Sequence, residues 1–249
     1  MKLELLVPTS TAEIPLKSYQ EFMKISDDSN DDEFIAQKMI EIFCGIELKH
    51  IVQIKMTDVN RLVEKFSEMF SEKPKFQHTF KIADKEFGFI PDLENISFGE
   101  YIDLDTNFGD VQNLHRAMAV MYRPITRKIK DKYEIEEYNG TSTWADVMKY
   151  APLNVALGAV VFFYHLRNEL LAATLNYLEK KVEEMTSTNT QKKHNLENSG
   201  DGIIQYTQLL KAIQQDLTML PEWDYLSASP TSRLKNKKTK SKQEDLNGK

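Results

Sequence analysis

GFIPDLENISFGEYIDLDTNFGDVQNLHRAMAVMYRP, residues Gly88 to Pro124, is the stretch whose reading decides the fold. Phe89-Ile90-Pro91 leaves a hairpin. Ser97-Phe98-Gly99-Glu100 then carries the capping-box pattern, in which a serine hydroxyl and a carboxylate three residues on satisfy two orphan backbone donors, so a helix is expected to start there. Phe98, Tyr101 and Ile102 fall at i, i+3 and i+4 and predict one apolar face, while Glu100, Asp103 and Asp105 sit elsewhere on the turn. After Asn107-Phe108-Gly109, Asp110 is placed to cap a second helix striped by Val111, Leu114, Met118, Met121 and Tyr122. Pro124 is expected to end it, because the residue before a proline is pushed out of the helical region.

Outward from this stretch toward the N-terminus, Phe76, His78, Phe80 and Ile82 alternate with polar residues, Ala83-Asp84 turns, and Phe87 to Ile90 returns, which predicts a β-hairpin. His78 on the apolar phase reads as a structural histidine. Before it, Val59, Leu62, Val63, Phe66, Met69 and Phe70 define a strong amphipathic helix that Thr57 is placed to cap. Ile35, Met39, Ile42 and Phe43 define another, with Gly45 suited to a left-handed end. The acidic run Asp27 to Glu33 lacks the central glycine and closing glutamate of a calcium loop and reads as a solvated loop feeding a helix N-terminus. Leu16, Tyr19, Phe22 and Met23 mark the first helix, and Leu3, Leu5 and Val7 suggest a short N-terminal strand closed by Pro8.

Toward the C-terminus, Arg127 to Lys132 reads as a basic connection and Tyr133 to Tyr138 as a short strand. From Pro152 to about Glu184 runs the longest helix, nearly 50 Å at ~1.5 Å per residue. Its first half is apolar almost all round and is expected to be central, with His165 in core or interface packing. The fold class is therefore α+β, mainly α-helical, with a short N-terminal strand and one β-hairpin packed on a helical body over residues 1–185. Residues 186–202 read as a flexible polar linker. Residues 203–226 read as a tethered amphipathic helix with an aromatic end, and 227–249 as a disordered basic tail. Ile203, Tyr206, Leu210, Ile213, Leu217, Trp223 and Tyr225 are the candidate partner-binding residues, an apolar stripe free either to fold back or to capture a partner helix.

The chain has 249 residues, a formal net charge of −6 and one cysteine. The tail from Pro230 contributes +5, which leaves −11 for the rest and argues against broad nucleic-acid binding. Cys44 excludes an internal disulfide, fits a reducing compartment and reads as a buried inert thiol. The apolar run Val155 to Tyr164 is about half of the ~20 residues that span a bilayer. A cytosolic protein with no membrane contact is expected.

No catalytic, cofactor-binding or metal-binding residues emerge. His50, His78, His115, His165 and His194 have no ligand spacing, and neither a phosphate-binding glycine loop nor a nucleophile elbow occurs. Glu100, Asp103 and Asp105 with His115 form the one constellation to test for acid–base work, against the plainer account of helix capping and a solvated face.

Ile14-Pro15-Leu16, Met39-Ile40-Glu41-Ile42-Phe43-Cys44-Gly45-Ile46, His50-Ile51-Val52 and Met56-Thr57-Asp58-Val59, all within the first 75 residues, resemble the tail assembly chaperones of long-tailed bacteriophages. The remainder, including NVALGAVVFFYHL, resembles large proteins of tailed phages. The resemblance implies a non-enzymatic assembly factor in the host cytoplasm that binds a helical tape-measure-like client, with self-association open. A structural component of the virion (baseplate, tail or head) is the alternative reading, and a small hydrolase or nuclease the third.

Overall fold

A computed structural model of the protein describes residues 5–29, 31–130 and 132–187. Among these, eight α-helices and a four-stranded antiparallel sheet make an α+β fold, mainly helical. The expected linker beyond Ser187, the tethered helix 203–226 and the tail 227–249 lie outside the described residues.

Helices α1 (Leu16–Asp28), α2 (Asp32–Cys44), the short α3 (Leu48–Ile51) and α4 (Met56–Ser71) come first. Asp31 accepts from the amides of Glu33 and Phe34, so the acidic run does feed a helix N-terminus. Gly45 ends α2 at φ 64°, a left-handed conformation that costs glycine little. α4 begins one residue before Thr57, with Lys55 in the cap position and no side-chain cap. Phe43 sits at the centre of this bundle, its ring centroid 5.0 Å from Phe22, 5.6 Å from Phe66 and 5.4 Å from Phe70, all tilted as aromatic quadrupoles prefer.

The sheet follows as a meander of β1 (Thr79–Ile82), β2 (Lys85–Phe89), β3 (Tyr122–Ile129) and β4 (Lys132–Ile135). Ala83 turns the first hairpin at φ 50°. Between β2 and β3 lie α5 (Phe98–Phe108) and α6 (Leu114–Met121). Several sequence expectations are corrected here. The helix over 114–121 stops at Tyr122 rather than at Pro124, because the chain passes straight into β3. Pro124 pairs with Phe87 inside that strand, beside a register shift between Ile125 and Arg127 where a residue without an N–H is tolerated.

The basic stretch Arg127–Lys132 is likewise not a connection but the end of β3, the turn after it and the start of β4. Its cations face acidic neighbours across the ladder: Lys128 Nζ lies 2.6 Å from Glu86 and Arg127 3.9 Å from Glu134. The sheet thus contains more than one hairpin. Leu5 to Pro8 is irregular, so the expected N-terminal strand is not formed over its described residues. A strand needs a ladder to join, and Leu6, which breaks the alternation, is exposed.

α7 (Ala145–Met148) leads into α8 (Leu153–Ser187), 35 residues and about 52 Å long. Leu16 and Leu153 donate backbone bonds to Ala151 and Ile14, tying the N-terminal segment to the start of α8. Leu153, Val155, Ala156, Leu157 and Ala159 are buried, as expected of a central helix. The described residues up to Val160 form one compact unit, and α8 from Val161 belongs to a second. In that second unit Leu175 is buried while Leu166, Tyr177 and His165 are exposed, so His165 is not in the core.

By length and composition, α8 over Leu153–Lys180 is apolar enough to cross a membrane, a longer stretch than Val155–Tyr164 suggests. The same composition serves a helix buried in a protein core, and its first seven residues are mostly buried.

Candidate functional site

The capping box forms as the sequence predicts. Ser97 Oγ accepts from the Glu100 amide at 3.2 Å, and Glu100 Oε2 accepts from the Ser97 amide at 2.7 Å. The helix it starts, however, faces the opposite way from the one expected. Glu100 and Asn107 are buried, whereas Phe98, Tyr101 and Ile102 are 78%, 57% and 44% exposed.

What turns α5 round is Arg123 on β3, only 7% exposed. Its Nη1 lies 2.6 Å from Glu100 Oε1. Nε has no hydrogen-bond partner among the described residues. Charge and the face of Tyr138, whose ring centroid is 5.5 Å from the guanidinium, therefore hold this cation. The Tyr138 hydroxyl donates to Asp103 Oδ2, and Asn107 Nδ2 donates to the Asp103 carbonyl at 2.6 Å. Glu100, Asp103 and Asn107, at i, i+3 and i+7, thus make an inward polar stripe.

The electrostatics follow. Burial by itself raises the Glu100 carboxyl, but the Ser97 donors and the Arg123 guanidinium outweigh it and hold the group below its ordinary range. Burial, then the bond to Asp103 and the charges of Asp103 and Glu100, push the Tyr138 phenol above its ordinary range against the pull of Arg123. The Tyr138 phenol is accordingly the donor of this pair at neutral pH.

The structure brings Glu100 and Asp103 together with Arg123 and Tyr138, not with His115. His115 Nδ1 lies 3.1 Å from Gln20 Nε2 of α1, and burial, followed by Lys149 and Arg116, lowers its pKa. Asp105 is exposed. Among the described residues, no group of three or more His, Cys, Asp or Glu side chains is arranged to hold a metal. His78 meets Phe76 edge to ring at 4.8 Å. Cys44 is half-buried rather than buried, and burial pushes its thiol up to about 11 despite Lys65. The partner-binding residues Ile203, Tyr206, Leu210, Ile213, Leu217, Trp223 and Tyr225 lie outside the described residues.

Sequence reasoning missed Arg123 and Tyr138. A signal existed: Arg123 is the single charge in Ala117 to Ile125, AMAVMYRPI, and a cation in so apolar a run needs a buried counter-charge. The resulting orientation leaves in water three side chains whose burial would contribute about 1.5–3 kcal/mol each. Taking ~200 Å² for a large side chain, the exposed area is on the order of 350 Å², within the range of functional patches on soluble proteins. Comparison of the chain with models of protein families, with curated proteins and with solved structures found no match.

Proposed function

We propose that this protein is a non-enzymatic bacteriophage assembly factor, a tail assembly chaperone that acts in the host cytoplasm and binds a helical client of the tape-measure kind. The observation that supports a binding role is α5, which keeps Glu100 and Asn107 inside and Phe98, Tyr101 and Ile102 outside. An exposed apolar ridge on a folded body is suited to shielding apolar helices of a client before they reach their final neighbours. The carboxylates singled out for acid–base chemistry have another occupation: Glu100 neutralises Arg123 and Asp103 accepts from Tyr138.

The test is twofold. Tagged full-length protein, purified from cells in which particles are being built, should bring down a helical virion protein. Mass spectrometry of finished particles should not find the chain, because a chaperone leaves its client. Stoichiometric presence in the particle would replace this reading with that of a virion component.

A further inference from the structure

The geometry points to the outer face of α5 as the docking site for a cationic amphipathic helix of a partner protein. The inference rests on reading the chain as a binding protein, and goes beyond it by naming the surface and the chemistry of what it takes. Phe98, Tyr101 and Ile102 form a ridge at i, i+3 and i+4, which seats in the groove between side-chain rows of another helix. A helix face offers no backbone ladder, so an extended strand has nothing to pair with there.

The charge along the segment that carries the ridge has one sign. From Asp92 to Asp110 the sequence has six carboxylates and neither lysine nor arginine. Glu100 is neutralised by Arg123 and Asp103 is bonded to Tyr138, both on the inward side. Asp92, Glu94, Asp105 and Asp110 are exposed on the helix and its flanking turns. Asp92 and Asp110 accept hydrogen bonds from Asn95 and Asn113. An apolar ridge flanked by carboxylates complements a helix with an apolar stripe edged by lysine or arginine. A second copy of this chain is the poorer fit, since a twofold contact through α5 sets the same carboxylates against one another.

The experiment uses the full chain and a labelled leucine–lysine amphipathic peptide of about 14 residues, ~20 Å long as a helix, with a leucine–glutamate peptide as control. Fluorescence anisotropy should show saturable binding of the lysine peptide alone, weakening as salt is raised. The double substitution Phe98→Ser and Tyr101→Ser should weaken it by about 30-fold or more, as loss of aromatic anchors does. Far-UV circular dichroism should be unchanged, because both side chains are exposed. Should that variant misfold, photo-crosslinking of the peptide to the unaltered chain decides instead, and crosslinks must fall between residues 92 and 110.

Four results would overturn the inference: no binding by the full chain, binding that survives in the folded variant, equal binding of the glutamate peptide, or crosslinks elsewhere. Self-association abolished by the same substitutions would also overturn it, making a second copy the occupant. If peptide binding fails while a virion protein still co-purifies, only the surface assignment falls. If the peptide binds and no virion partner is found, the assembly reading falls and the surface stands.

Discussion

Replacing Arg123 with alanine tests the reason for the orientation of α5. The guanidinium is 7% exposed and sits 2.6 Å from Glu100 Oε1, so its removal leaves a buried carboxylate with only the Ser97 donors. Breaking a buried ion pair from one side costs about 3–5 kcal/mol, because the remaining charge is stranded. With a urea slope of about 2 kcal/mol per molar, the unfolding midpoint should fall by roughly 1.5–2.5 M at pH 7. The double variant Glu100→Leu and Arg123→Met, which removes both charges, should recover most of the loss, short of about 1 kcal/mol for the missing capping bond. pH gives a second axis. The folded pKa of Glu100 is lowered, so its contribution is complete above the unfolded value of about 4.3 and is lost as pH falls through the folded one. The gap between the natural chain and Arg123→Ala should therefore narrow below about pH 4. A single-variant loss under about 1 kcal/mol, or a double variant no better than the single, would refute the claim that this pair orients the helix.

Gly158→Ala should destabilise the protein although alanine is the better helix former by about 1 kcal/mol. A Cβ there would stand 2.5 Å from the Lys75 carbonyl oxygen, a backbone atom that cannot swing aside, so a net loss of about 1–3 kcal/mol is expected by urea unfolding, and a gain would show that α8 can shift freely. Cys44, with its thiol pushed up to about 11 by burial, should react with iodoacetamide at pH 8 on the order of 100-fold more slowly in the folded than in the unfolded chain. Its share of stability is complete below the ordinary thiol range and is lost as pH climbs toward 11; a folded-state reaction profile that levels off near pH 9 would contradict this.

Local chemistry was legible at several helix ends whose partners lie within four residues, though not at Thr57, since α4 begins before it with no side-chain cap. The Ser97–Glu100 box, the acidic run feeding the N-terminus of α2 and the left-handed Gly45 were predicted from sequence, and all form. The hairpin turning at Ala83-Asp84 was legible because period-two alternation flanks it. β3 was not. Tyr122 and Met121 continue the helical stripe of Leu114 and Met118, and only the ladder to β2, more than 30 residues earlier in the chain, pulls Tyr122–Ile129 into a strand. Arg123 gained its role the same way: its value depends on Glu100, 23 residues away, and no window of helical length holds both.

Periodicity finds a stripe and says nothing of which way it faces. For α4 and α6 the apolar stripe is also the buried one, with Phe66, Met69 and Phe70 on one and Leu114, Met118 and Met121 on the other, so the distinction has no consequence. In α5 the two separate, because one face must answer the Arg123 charge and the other is left with aromatic side chains in water. The Pro124 correction differs in kind: the strand proline sits beside a register shift, buried, with no unmatched surface left over. A local rule broken and repaired within the fold needs no further explanation. At α5 the forgone apolar burial is not recovered within the described residues, and a partner helix seated on Phe98, Tyr101 and Ile102, as proposed above, would recover it.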